Sequence, residues 1–350
     1  MRMKPRPHRL LARYLGALVA AASVFAGLCL VINLLVDPLW YLHGNVVTGV
    51  NFAFNERVAK MNQFLPRMQD YDCLIMGSSR TTLLPEQRFS GHRCFNLAFS
   101  GGRINEFLLY AHYLRARGFA PSLLIVGVDP FDFRGPMPDP DIPDFVRTEA
   151  DPPSLLRTYL SLDALDFSIR TLKGDSPHHR YYDRNLNCRI EVRARVYRPP
   201  RVLTPFPEPT EVHAERAALY LQLRHMFPTA RAIGYVPPVS AWTIARISLS
   251  RDLDGYLTAL DHIAAGFDEF LDFGIPSAIT AATSETLDGS HYSEAVNARI
   301  AVALQSGEPE PGVDWHRQSP QAIAALYRER LARLVPSVSS PGAQSGKYRG

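Results

Sequence analysis

Ser79 closes the string Gly77-Ser78-Ser79, which follows a short apolar run, Cys73–Met76. A serine on a tight turn at the end of a strand presents its oxygen to solvent. If a helix starts there, its dipole favours a developing anion. Far along the chain stands Asp288-Gly289-Ser290-His291. A carboxylate three residues before a histidine can hold the imidazole Nδ1–H and fix its tautomer. That imidazole can then act as general base toward a serine hydroxyl. Two further strings end apolar runs. One is Asn96-Leu97-Ala98-Phe99-Ser100-Gly101-Gly102, where glycine lets a backbone N–H approach a ligand. The other is Gly127-Val128-Asp129-Pro130. Each alone is an ordinary turn; their value lies in where the rest of the chain would place them.

The elements that must position these strings read as alternating strands and helices. Short apolar runs at 73–76, 94–99, 123–128, 232–236 and 270–273 fit strands buried on both faces of a parallel sheet. Between and after them, residues 104–117, 211–226, 252–267 and 293–304 carry helical apolar spacing. The pattern predicts an α/β fold with a three-layer, doubly wound, five-stranded parallel sheet. Ligand chemistry in such folds gathers at the carboxyl ends of the strands. One stretch, 131–209, breaks the rhythm. It opens and closes with prolines, contains a helical pattern at 153–172, and is expected as an insertion over the sheet edge or site mouth.

Jointly the strings resemble the SGNH/GDSL hydrolase family over roughly residues 70–128 and 230–304. Gly77-Ser78-Ser79 is similar to that family's first block, Gly-Asp-Ser. Asn96 to Gly101 is similar to its second, and Asp288 to His291 to its last. The resemblance implies a flavodoxin-like SGNH fold with Ser79 as nucleophile, His291 as base and Asp288 as its orienting carboxylate. It also implies an oxyanion hole from the Ser79 and Gly101 N–H groups, and no metal or organic cofactor. Two positions depart from the family pattern. Ser78 replaces an aspartate, and Asp129 stands where an asparagine side chain usually completes the hole. An ionised carboxylate there would oppose an oxyanion. The implied activity is that of a serine esterase or O-acyltransferase on an acylated glycan or envelope component, with a multi-span acyltransferase as an implied partner. A binding or assembly subunit that keeps the fold, and a lipid-directed esterase, are the rival readings.

Other features limit the choice. Arg180, Arg184, Arg189, Arg193, Arg195, Arg198 and Arg201 form a basic run that suits an anionic glycan or lipid headgroup, or a solvated face. Arg80 and Asn96, with Arg180 and Arg184, are the candidate substrate contacts. His178-His179 lacks a third ligand at metal spacing. Of four cysteines, Cys29 lies in an apolar run. Cys73, Cys94 and Cys188 form neither a disulfide framework nor a zinc pattern, so Cys73 and Cys94 are expected as small buried hydrophobes.

The chain has 350 residues, 46% of them apolar, and a net charge of +4, too small to argue for nucleic acid. Residues 15–36 carry no charge and are long enough to cross a bilayer core of about 30 Å. Arg2, Lys4, Arg6, Arg9 and Arg13 precede them, and the next basic side chain is Arg57. That asymmetry predicts a cytoplasmic stub at 1–14, an inner-membrane anchor at 15–36 and a periplasmic or otherwise extracytoplasmic bulk. No A-x-A site follows the run, which argues against a cleaved signal peptide. A stalk and lead-in at 37–69, a domain at 70–335 and a disordered Ser/Gly/Pro-rich tail at 336–350 complete the expected organisation.

Overall fold

The structure, a computed structural model, describes residues 7–42, 44–52, 54–175, 180–190, 197–206 and 212–335. The chain divides into two compact units, Met1–Gln63 with Asp151–Leu186, and Phe64–Ala150 with Asn187–Gly350. The expected tail, His178-His179, Arg193 and Arg195 lie outside the described residues.

The second unit carries the candidate residues. Among the described residues its sheet has six strands: β1 (Cys73–Met76), β2 (Cys94–Asn96), β3 (Leu123–Gly127), β4 (Arg231–Val236), β5 (Glu269–Asp272) and β6 (Val313–Asp314). Their spatial order is β2-β1-β3-β4-β5-β6. The first five are parallel and β6 runs antiparallel to β5. The five expected strands are present, and the sheet gains β6. Only two residues long, β6 carries no sequence periodicity from which a strand could be read.

Every residue of β1, β2 and β3 is buried, which is why these strands are continuous apolar runs rather than alternating ones. Register stacks Ile75 beside Ile125, and Ile125 beside Ile233. The longer helices of this unit are α1 (Ile104–Ala116), α2 (Ala217–Met226), α3 (Ala241–Leu249), α4 (Leu253–Ala264), α5 (Glu294–Ser306) and α6 (Pro320–Leu334). Val296, Ile300 and Leu304 of α5 cover the sheet face bearing Ile75, Ile125, Ile233 and Leu271. Packing of α1 on α2, and of α2 on α4, makes a separate helical layer. Serines cap three of the helices: the Ser240, Ser293 and Ser319 side chains accept from Thr243, Val296 and Ala322 N–H.

Cys73 and Cys94 form a disulfide, contrary to the expectation that they are separate small hydrophobes. The two residues are directly opposed across the β1–β2 pair. That register is set by the parallel pairing of the strands, and nothing in their spacing along the chain announces it.

The first unit begins with a helix, Pro7–Val36, whose stretch Leu10–Val36 is long and apolar enough to cross a membrane. The segment after it was expected as a stalk, and residues 131–209 as one insertion. Instead Asp151–Leu186 folds with the N-terminal segment. The helical pattern at 153–172 breaks at Leu160 into Leu155–Tyr159 and Leu162–Lys173, with Ser161 capping the second helix. Polar contacts across more than a hundred residues hold this unit together. Asn33 Nδ2 donates to the Tyr159 carbonyl at 2.9 Å, and Ser168 Oγ donates to Asn33 Oδ1 at 2.7 Å. The Asp37 carboxylate accepts from the Tyr159 hydroxyl and from the N–H groups of Tyr41 and Gly44. Strand Val50–Asn51 pairs antiparallel with Arg180–Asp183.

Candidate active site

The turn after β1 is shaped by one threonine. A Cβ on Gly77 would stand 2.3 Å from Thr81 Oγ1, and a Cβ on Gly127 would stand 2.1 Å from the same atom. Thr81 therefore fills the space between the ends of β1 and β3, and only glycine fits at either strand end. Its hydroxyl also accepts from Tyr235 OH of β4 at 3.1 Å. Thr81 N–H and Thr82 N–H both donate to the Ser78 carbonyl, and Thr82 Oγ1 donates to the Ser79 carbonyl at 2.7 Å. The turn is thereby fixed with Ser79 at its crest, half-buried.

The histidine loop is fixed in an equally local way. Asp288 Oδ1 accepts from Ser290 N–H at 2.8 Å and from His291 N–H at 2.9 Å. The His291 carbonyl accepts from Leu287 N–H and Thr286 Oγ1. The other oxygen, Asp288 Oδ2, lies 2.8 Å from His291 Nδ1, and His291 Nε2 lies 2.8 Å from Ser79 Oγ. One tautomer satisfies both contacts: Nδ1–H donates to Asp288, and the Ser79 hydroxyl donates to Nε2. Burial alone would raise the Asp288 pKa. The hydrogen bonds and charge of His291, with the two backbone N–H donors, outweigh it and hold the carboxyl down to about 2. The carboxylate is thus ionised wherever a histidine can serve as base. This is the serine–histidine–carboxylate arrangement expected from Ser79, His291 and Asp288, brought together across 212 positions of sequence.

The loop after β2 is tied to the same strand ends. Phe99 N–H donates to the Gly77 carbonyl at 3.1 Å, and Gly102 N–H closes a turn onto Phe99. Gly101 sits in that turn with φ +66° and open space where a Cβ would be. Among the described residues, neither the Ser79 nor the Gly101 N–H donates a hydrogen bond to the chain. Both donors are therefore free for a ligand oxygen. Asn96 is not. Its Nδ2 donates to the Thr81 and Leu84 carbonyls, and its Oδ1 accepts from Ala98 N–H. The expectation that Asn96 contacts substrate is corrected: a buried amide with these partners braces the Ser79 turn.

Asp129 does not stand as an isolated carboxylate. Arg80 Nη1 pairs with its Oδ2, and Ser78 Oγ donates to the same oxygen at 2.8 Å. Its Oδ1 accepts from Phe131 N–H at 3.1 Å, which caps the turn that follows. The Arg80 and Asp129 side chains are only 8% and 9% exposed. Arg80 Nε donates to Ser290 Oγ at 2.9 Å, beside His291. The guanidinium thus links the Ser79 turn, the end of β3 and the histidine loop. Next to it, Asp132 accepts from Tyr220 OH at 2.5 Å and pairs with Arg103 at 3.2 Å. Burial, helped by the charge of Asp129 and opposed by Tyr220 and Arg103, pushes its pKa up to about 6.

The other candidate contacts lie elsewhere. Arg180 and Arg184 belong to the first unit, where Arg180 is buried 3.8 Å from Glu56 and Arg184 backs onto Gly44. Among the described residues no cluster of three His, Cys, Asp or Glu side chains is placed to hold a metal ion. Sequence reasoning missed Thr81 and the bridging role of Arg80. The available signal was the pair of glycines where β1 and β3 stop, Gly77 and Gly127, both of which Thr81 packs against.

No family model matches the chain, and no curated protein or solved structure matches it.

Proposed function

We propose that this chain is a membrane-anchored serine esterase or O-acyltransferase of SGNH type, acting outside the cytoplasm on acyl esters of a glycan or envelope component. The observation that carries the reading is the pair of 2.8 Å contacts joining Ser79 Oγ, His291 and Asp288. The strand order supports it, since β2-β1-β3-β4-β5 is the doubly wound order whose strand ends hold ligands. The Cys73–Cys94 disulfide supports an oxidising compartment, in accord with the basic residues that precede the N-terminal helix.

In this reading Ser79 Oγ attacks the acyl carbonyl as its proton passes to His291 Nε2. Asp288 stabilises the imidazolium that results. The carbonyl oxygen gains the electron pair of the broken π bond and is met by the Ser79 and Gly101 N–H groups. Collapse expels the alcohol, which takes the proton from His291. Water or a sugar hydroxyl then attacks the acyl-serine and gives its proton to His291; the bond between the acyl carbon and Ser79 Oγ breaks, Ser79 Oγ takes that proton back, and the acyl group leaves on the acceptor oxygen.

The Arg80–Asp129 pair favours a second reading. It occupies the position of a usual oxyanion donor, so the fold would serve as a binding or assembly subunit for polysaccharide modification. A fluorophosphonate probe followed by peptide mass spectrometry separates the two. Covalent labelling of Ser79, lost in His291→Ala, supports the enzyme. A folded protein that stays unlabelled supports the binding subunit.

A further inference from the structure

The first unit carries a dense set of exposed apolar side chains. Outside the N-terminal helix, eleven large apolar residues are exposed among the described residues, and only Leu109, Val202 and Val302 of them belong to the second unit. The remaining eight fall in the much smaller first unit, on the loop after the N-terminal helix and on the two short helices Leu155–Tyr159 and Leu162–Lys173 with their link. Isolated surface leucines need no explanation, but such a concentration marks an interaction surface.

Within Leu162–Lys173 the pattern is specific. Ala164, Ser168 and Thr171 face the unit's interior, whereas Leu162, Ile169 and Leu172 are exposed. Successive offsets of seven and three residues put these three on one stripe of the helix. Asp163, Asp166, Arg170 and Lys173 lie on a different face. The helix therefore has an apolar arc wider than its own unit covers.

The N-terminal helix explains what meets that arc. Its uncharged run 15–36, 22 residues, would extend about 33 Å, close to a hydrocarbon core of about 30 Å. Its last two turns therefore reach the boundary where the helix leaves that core. Those are the turns that unit one grips: Leu30 and Leu34 pack on Tyr159 and Ala164, and Asn33 bonds to Tyr159 and Ser168. The loop that follows folds back to the same level, with Val46 N–H donating to the Leu35 carbonyl at 3.0 Å. Exposed Val46 and Val47, 53% and 56% accessible, thus lie beside the final turn of the anchor.

From this continuity we propose that the first unit is a membrane-seated collar. Val46, Val47, Leu160, Leu162, Ile169 and Leu172 insert into the interfacial layer of the leaflet from which the anchor emerges, and lipid is the occupant of this surface. An amphipathic helix buried by its apolar arc at the headgroup boundary is a common mode of membrane seating. The flanking charges are of both signs, so apolar burial rather than attraction to anionic lipid supplies the contact. The inference rests on the anchor part of the proposed function and is independent of catalysis.

The test uses the full chain in phosphatidylcholine nanodiscs. Cys29 and Cys188 are replaced by alanine, and nitroxide labels are placed one at a time through Val47→Cys, Leu160→Cys and Ile169→Cys. Collision with oxygen, which concentrates in lipid, is compared with collision with a water-soluble nickel chelate. Val24→Cys reports the anchor and Val302→Cys reports bulk water. The expected oxygen-to-nickel ratio at the three collar sites lies severalfold above that at Val302 and approaches that at Val24. Ratios equal to Val302 with Val24 in lipid would overturn the collar while leaving the anchor intact. Labels shielded from both reagents would overturn it in favour of a protein partner or second copy. A water-like Val24 would remove the anchor and the collar together.

Discussion

Asp129→Asn separates two accounts of the loop after β3. If the carboxylate spoils an oxyanion hole that a neutral amide would complete, the substitution adds a donor worth about 2.7–4 kcal/mol in comparable holes, and ester hydrolysis rises by about tenfold or more. The contacts argue for the opposite outcome. Asparagine keeps an oxygen for Phe131 N–H but leaves the Arg80 guanidinium, 8% exposed, without its counter-charge. Removing one partner of a buried ion pair costs about 3–5 kcal/mol. At about 2–4 °C per kcal/mol for a domain of this size, Tm falls by about 6–20 °C. Activity falls too, because Arg80 also holds Ser290 beside His291. The assay is thermal unfolding alongside hydrolysis of a small activated ester. A second variant, Arg80→Met with Asp129→Asn, removes both charges and is expected to recover part of the lost stability, giving a coupling energy in a double-mutant cycle. A well-folded Asp129→Asn protein that is about tenfold faster, with the gain abolished by Ser79→Ala, would refute this reasoning.

In the proposed esterase, Asp288→Asn is expected to lower kcat by up to about 10⁴-fold while leaving the fold intact, since it misplaces the His291 tautomer; an unchanged rate would show that Asp288 does not orient the base. Gly127→Ala puts a Cβ 2.1 Å from Thr81 Oγ1 and is expected to destabilise by about 1–3 kcal/mol, read by urea unfolding, with Gly127→Ala in a Thr81→Ala background regaining stability. Replacing Cys73 and Cys94 by serine removes the crosslink across 21 positions and is expected to cost about 3 kcal/mol in denaturant unfolding. Asp132 and Asp272 both have pKa values pushed up to about 6, in each case by burial first. Their native forms hold protons that the unfolded chain releases from about pH 4 upward, so stability is expected to fall as pH rises through about 4–6. The slope should be shallower in Asp272→Asn, and equal slopes would contradict the assignment.

The strands and the Ser79–His291–Asp288 contacts of the candidate site were legible in the sequence for a physical reason. Strands buried on both faces cannot alternate, so β1 and β3 stand out as unbroken apolar runs, and the turn residues after them mark where a parallel sheet displays its ligands. The Asp288-to-His291 contact is local, closed within one loop, and so its spacing already carries its geometry. The N-terminal helix was legible because an uncharged apolar run of that length stands apart from the rest of the chain. What only the tertiary structure decided is everything that joins distant segments without periodicity. The partner of Cys73 depends on strand register. The fate of Asp129 depends on Arg80 reaching across from the Ser79 turn. Asn96 looked available to substrate because its type allows it, yet three backbone groups consume its amide. Most of all, Asn33 and Asp37 gave no sign that Tyr159 and Ser168 would bind them and draw residues 151–186 to the end of the N-terminal helix. Local pattern reports which face of an element is apolar; which other face covers it is a property of the assembled chain.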